Sequence, residues 1–147
     1  MTQYEYDALG NKIRFVNALG NAFTYQYDAL SRLILDADDY KYEYDTVGNL
    51  TRRIDAKNQA VNYSYDNLNR LVQITYPDSS TIDLSYDANG NLLTMTDALG
   101  TTASTFDSLN RLTERADPFG KVVGVGYDAA GNRVSLTYPD STVVSYA

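Results

Sequence analysis

Apolar and polar residues alternate with a period of two along most of the chain, and short turn signals interrupt the alternation at regular intervals. Before several aspartates, the positions five, three and one residues back read Phe23, Tyr25, Tyr27; Tyr40, Tyr42, Tyr44; Val61, Tyr63, Tyr65; Ile82, Leu84, Tyr86; and Val123, Val125, Tyr127. The intervening positions, among them Thr24, Gln26, Lys41, Glu43, Asn62, Ser64, Asp83 and Ser85, are polar. Successive side chains of a strand point to opposite faces, so the pattern predicts a half-buried sheet with one apolar, tyrosine-rich face.

The aromatic-aspartate pair recurs as Tyr6-Asp7, Tyr27-Asp28, Tyr44-Asp45, Tyr65-Asp66, Tyr86-Asp87, Phe106-Asp107 and Tyr127-Asp128, with steps of 21, 17, 21, 21, 20 and 21 residues. Three residues after each aspartate stands Gly10, Ser31, Gly48, Asn69, Gly90, Asn110 or Gly131. All but Ser31 readily accept positive φ. An aspartate opening a turn accepts backbone N–H groups two or three residues on, and Gly or Asn closes the turn with a bulge, so each pair predicts a hairpin tip.

A second series of tips lies about ten residues later, at Asn17–Gly20, Asp55–Asn58, Tyr76–Ser79, Asp97–Gly100, Asp117–Gly120 and Tyr138–Ser141. Together they predict an all-β antiparallel meander of roughly fifteen short strands, with residues 1–147 forming a single array. The short step between Asp28 and Asp45 predicts a tighter or distorted turn around Asp36, Asp38 and Asp39.

A bulged tip sets each aromatic across from the residue five after the aspartate, pairing Tyr27 with Leu33, Tyr44 with Leu50, Tyr65 with Leu71, Tyr86 with Leu92 and Phe106 with Leu112. Tyr6 and Tyr127 instead face Lys12 and Arg133, where a cation over the ring contributes on the order of 0.5–1 kcal/mol. Ile13, Phe15, Ile34, Val72, Ile74, Leu93, Met95, Val134 and Leu136 fall out of phase with this stripe, which predicts partial cover on both faces. Open sheets beyond about ten strands tend to curl or fold over. The apolar face is expected to meet itself, a second copy or a partner.

Composition narrows the function. Fourteen Tyr against four Phe and no Trp is the aromatic usage of pleated sheet. With no Cys and no His, disulfide scaffolds, thiolate or imidazole metal sites and nucleophile-histidine pairs are excluded. The net charge of −7 opposes attraction to nucleic acid and anionic lipid. No stretch approaches the roughly 20 apolar residues of a membrane span, and the N-terminus carries no secretion signal, so export would use information outside this chain.

The seven repeat aspartates read as turn caps rather than calcium ligands, because each already has a turn to cap. The tyrosine columns read first as intrasheet packing and second as a platform for carbohydrate or protein. Asp38-Asp39 are neighbours in a polar turn, without the burial that a glycosidase acid requires. Arg52, Arg53, Arg111 and Arg115 read as solvated or cross-strand ion-pairing positions. No catalytic, cofactor-binding or metal site is predicted; the candidate residues are the tip set Asp7, Asp28, Asp45, Asp66, Asp87, Asp107, Asp128, Gly10, Gly48, Gly90 and Gly131. To these is added the aromatic face of Tyr6, Tyr25, Tyr27, Tyr42, Tyr44, Tyr63, Tyr65, Tyr86, Phe106 and Tyr127.

The string Tyr-x-Tyr-Asp-x-x-Gly-Asn/Arg-Leu, clearest from Tyr42 to Leu50, recurs in phase over essentially the whole chain and resembles the Rhs/YD-repeat family. That family includes the Rhs polymorphic toxins, the encapsulating components of insecticidal toxin complexes, and the teneurins. The resemblance implies a spiralling β-sheet that closes into a hollow shell around a toxin or lines a cell-surface scaffold, in a secreted or surface-exposed parent. It implies a structural, non-enzymatic role, with carbohydrate or protein binding by the tyrosine face as the alternative.

Family shells use many more repeats and end in an Asp-Pro-x-Gly-Leu motif associated with self-cleavage. Here Asp117-Pro118-Phe119-Gly120 precedes Lys121 and occupies a turn position, so no protease role is expected. Both ends are cut in nearly the same phase, which reads as an excised fragment or minimal array whose partners are further repeats or further copies.

Overall fold

The computed structural model describes residues 1–146, and within them every regular element is a strand. The strands are β1 (Gln3–Tyr6), β2 (Lys12–Val16), β3 (Ala22–Thr24), β4 (Gln26–Tyr27), β5 (Leu33–Leu35), β6 (Lys41–Tyr44), β7 (Leu50–Ile54) and β8 (Ala60–Tyr65). There follow β9 (Leu71–Thr75), β10 (Thr81–Tyr86), β11 (Leu92–Asp97), β12 (Gly100–Phe106), β13 (Leu112–Ala116), β14 (Val122–Tyr127), β15 (Arg133–Thr137) and β16 (Val143–Ser145). They pair in sequence order, β1 to β3 as a three-stranded sheet and β4 to β16 as a thirteen-stranded one. The predicted antiparallel meander is therefore the fold.

By contacts the chain divides into two compact units, one of residues 1–70 with 75–79 and one of 71–74 with 80–147. In the first, the ladder is interrupted at Tyr25, between β3 and β4, although Tyr25 N–H still donates to Ile13 O at 2.9 Å. The short step lies here too, and its cause differs from the expected distorted turn. The Asp36 tip is closed like its neighbours, with Asp36 N–H to Tyr40 O at 3.0 Å and Asp39 N–H to Asp36 O at 3.2 Å. What is short is the strands: β5 and β6 hold 3 and 4 residues where β7 and β8 hold 5 and 6. Two residues are missing from each side, and loss by twos keeps every side chain on its face.

In the second unit, the 20-residue step has its own cause. Asp97 pairs directly with Gly100, leaving a two-residue loop without a bulge. Gly100 adopts φ +124, and a Cβ there would lie 3.0 Å from Pro118 Cβ, so this tighter turn requires glycine.

The predicted pairings Tyr27–Leu33, Tyr44–Leu50, Tyr86–Leu92 and Phe106–Leu112 are present, as are Tyr6–Lys12 and Tyr127–Arg133, each beside a register shift. That shift explains part of the pattern behind the expectation of two partly covered faces. The extra residue changes the phase of the strand after the tip, so Phe15 lies opposite Tyr4, Met95 opposite Leu84 and Leu136 opposite Val125. Phe15, Met95 and Leu136 thus join the tyrosine face, while Ile13, Ile34, Leu93 and Val134 are the extra residues at the bulges.

The opposite face carries polar cross-strand pairs: Arg14–Glu5, Arg52–Glu43, and the hydroxyl pairs Ser85–Thr94 and Thr105–Thr113. Among the described residues only Val61, 9% exposed, is a buried hydrophobic, so the tyrosine face is half-covered by its own lateral neighbours.

Candidate functional site

The repeated tip is the structure in which the predicted residues converge. At Asp45 the backbone closes first: Asp45 N–H donates to Asn49 O at 2.9 Å and Gly48 N–H to Asp45 O at 3.3 Å. The carboxylate then takes the inner amides, with Oδ1 accepting Val47 N–H at 3.0 Å and Asn49 N–H at 2.8 Å. The carboxylate thus reaches the amides two and four residues on; the third donates to the aspartate's own carbonyl, which refines the expected pattern. The same Oδ1 contacts recur at Asp7, Asp28, Asp66 and Asp107. The left-handed position follows: Ser31, Asn69 and Asn110 lie at φ 59, 59 and 61, and Gly10, Gly48, Gly90 and Gly131 at 86, 102, 92 and 90. Even Ser31 adopts it.

A further participant stands four residues after each aspartate, for which the sequence predicts a role at Arg111 alone, as a solvated or cross-strand ion-pairing position, whereas it pairs with Asp107 of its own tip. Asn11, Asn49, Asn91 and Asn132 donate Nδ2 to Oδ2 of their aspartate at 2.8–2.9 Å, and Arg32, Arg70 and Arg111 donate Nε to the same oxygen at 2.7–2.8 Å. The signal is present in the Asn/Arg position of the repeat string, but spacing alone gives it no partner. These bonds favour the charged carboxylate. Asp107 is held below the usual carboxylate range by the Arg111 backbone N–H, against an opposing desolvation, and by the Arg111 side chain. Asp87 is lowered chiefly by the Asn91 side-chain amide.

The tyrosine before the aspartate ties its tip to the preceding repeat. Tyr27, Tyr44, Tyr65 and Tyr86 donate Oη–H to the carbonyls of Lys12, Leu33, Leu50 and Leu71 at 2.9–3.1 Å. Lys12, Arg32, Arg111 and Arg133 each cover a ring of a following repeat, and Lys12 and Arg133 do not cover the rings predicted for them. Lys12 Nζ lies 4.6 Å from the Tyr25 ring rather than over Tyr6, and Arg133 lies 4.9 Å from Tyr146 rather than over Tyr127, which Arg111 covers at 4.5 Å.

The remaining aromatic residues do not form one continuous column. Tyr4, Phe15 and Phe23 stack at 5.2 and 5.6 Å, and Arg53 lies 5.4 Å from the Tyr40 ring. Tyr42 donates Oη–H to Asp36 Oδ2, and burial with that bond pushes its pKa up to about 12. Tyr6 is 59% exposed. Beyond the tips, Leu9, Leu30, Val47, Leu68 and Leu109 project into solvent.

Asp117-Pro118-Phe119-Gly120 is an ordinary tip, with Asp117 N–H to Lys121 O at 2.9 Å and Gly120 at φ +79. Among the described residues no group of three or more Asp or Glu could hold a metal ion.

The RHS repeat family model matches residues 44–81, 73–102, 86–122 and 106–143, more than half of the chain. The fold is similar to the crystal structure of TcdB2-TccC3, at 17% identity over 98% of this chain and 10% of that one, with a TM-score of 0.78. It is similar also to the Photorhabdus luminescens Tc holotoxin pore, at 18% identity over 98% of this chain and 9% of that one, with a TM-score of 0.79. At such identity the likeness is one of fold, and the chain spans about a tenth of the length of the solved chains it matches. A comparison with curated protein sequences gives no significant match.

Proposed function

Since the chain belongs to the RHS repeat family, we propose that it is a non-catalytic structural segment of an encapsulating or surface scaffold, within a secreted or cell-surface parent. The observation that carries this reading is the use of the tip groups. The aspartate oxygens and tyrosine hydroxyls that could recognise a ligand hold neighbouring backbone instead. Such groups stiffen a wall. The half-covered tyrosine face is sheltered by further repeats, a second copy or an enclosed protein such as a toxin.

The competing reading, a carbohydrate- or protein-binding module, requires free ring faces. Stacking among Tyr4, Phe15 and Phe23 and the cations over Tyr25, Tyr44 and Tyr127 favour the scaffold. A glycan array probed with the purified chain separates the two. The expected result is no saturable binding, and nitration that reaches Tyr6 before Tyr44 and Tyr65. Saturable glycan binding abolished by Tyr42→Ala or Tyr63→Ala would replace the scaffold by the binding module.

A further inference from the structure

The tips are not equivalent. Taken in order, the left-handed residue and its successor read Gly10-Asn11, Ser31-Arg32, Gly48-Asn49, Asn69-Arg70, Gly90-Asn91, Asn110-Arg111 and Gly131-Asn132. At these seven aromatic-aspartate tips glycine is always followed by Asn, and Ser or Asn always by Arg, in strict alternation. The alternation survives the shortened repeat and the 20-residue step, so it is not a by-product of repeat length.

Each kind of tip makes a different bond to the next. The Asn of a glycine tip donates forward to the side chain at the next left-handed position. Asn11 Nδ2 meets Ser31 Oγ at 3.1 Å, Asn49 Nδ2 meets Asn69 Oδ1 at 2.9 Å, and Asn91 Nδ2 meets Asn110 Oδ1 at 2.8 Å. Glycine could not accept that bond, having no side chain. At Arg32 and Arg111 the Arg of the other tip reaches instead to the carbonyl of the next tip's aspartate. Arg32 Nη1 donates to Asp45 O at 3.1 Å and Arg111 Nη1 to Asp128 O at 3.3 Å, and their guanidinium carbons lie 4.7 and 4.5 Å from the Tyr44 and Tyr127 rings.

The glycine belongs to that second junction. A Cβ at Gly131 would stand 3.7 Å from Arg111 Nη1, in ordinary contact with the guanidinium, whereas a Cβ at Gly48 meets nothing within 4 Å. The two tips also differ in backbone, since φ of 90 to 102 at Gly48, Gly90 and Gly131 lies beyond the 59 to 61 of Ser31, Asn69 and Asn110. Both junction types occur within each compact unit.

We propose that the array consists of two mutually selective repeat types, and that the tip edge of each is a docking surface for a YD repeat of the other type. An Asn donor requires a Ser or Asn acceptor, and an Arg donor requires a glycine gap. This deepens the scaffold reading on which it rests, by naming the partner each tip accepts. Repeats, or whole arrays, join without loss at that edge only when their types alternate.

A double-mutant cycle on the full chain tests it, read as denaturant midpoint. Asn49→Arg faces an arginine with Asn69, and Asn69→Gly deprives Asn49 of its acceptor, so each single variant lowers the midpoint. Together, Asn49→Arg and Asn69→Gly recreate the arginine-to-glycine junction, and the double variant recovers at least half of the summed loss. Losses that simply add, in variants that keep the strand spectrum, overturn the selectivity while leaving the scaffold reading standing; a glycan ligand would instead sink that reading and leave the cycle intact. Should Asn49→Arg fail to fold, the converse cycle of Arg111→Asn with Gly131→Asn probes the same selectivity. Recovery there supports alternation, and additivity refutes it.

Discussion

At the residue scale, the repeat aspartate is a backbone group as much as a charge. Asp7, Asp28, Asp45, Asp66, Asp87, Asp107 and Asp128 all sit below the ordinary carboxylate value of 3.8, by hydrogen bonds to backbone and to Asn or Arg side chains. A carboxyl whose folded pKa is depressed stabilises the fold above its unfolded pKa and loses that contribution as pH falls through the folded value. Seven terms of one sign should make the midpoint flat near neutrality and falling as pH drops below 3.8. Urea unfolding followed against pH checks this, and Asp107→Asn should weaken the slope.

Tyr42 runs the other way. Its pKa is raised, so its contribution is complete below the tyrosine value of 10 and fades as pH rises toward about 12. Tyr42→Phe should remove that alkaline loss. Tyr44→Phe removes one hydroxyl bond to Leu33 O and should cost about 1 kcal/mol.

At the element scale, strand length and turn type vary without upsetting the faces. Removing two residues from each of β7 and β8 copies the natural β5–β6 hairpin and should leave a folded sheet by circular dichroism. Removing one residue from β7 alone inverts the strand beyond the deletion and should abolish cooperative unfolding. Gly100→Ala meets both a left-handed backbone and Pro118, whereas Gly48→Ala meets nothing within 4 Å, so Gly100→Ala should lower the thermal midpoint more. The backbone term alone is about 1–2 kcal/mol in each case.

These elements mark how far the sequence can be read. The aspartates, the left-handed positions and the Tyr–Leu pairings are legible, because turn chemistry is local and side-chain period is rigid. The phase change at the bulge is not, since one extra residue makes Phe15, Met95 and Leu136 look misplaced until Tyr4, Leu84 and Val125 are seen across from them. Likewise spacing pairs Lys12 with the ring directly opposite, when its flexible side chain lies over Tyr25 instead. The tip residues Asn49 and Arg32 are visible in the repeat, but their bonds span repeats that only the folded register brings together.

At the scale of the whole molecule, the dominant feature is how little is buried. Among the described residues Val61 is the buried hydrophobic, so in each unit the tyrosine face is left half-exposed. Such a surface seeks cover. Light scattering of the purified chain should show association rising with concentration. Met95→Lys, on the face that pairs Leu84, should suppress it, and Thr94→Lys, on the side of Ser85, should not.

The sequential strand order carries a kinetic consequence. Each strand bonds only to those just before and after it in the chain, so no distant segment must be found before a hairpin can form. Ordering can start at any tip and zip outward through nearest neighbours, as in a one-dimensional lattice. Pulled from its two termini, the chain should peel apart one hairpin at a time, giving a staircase of small yields rather than a single rupture.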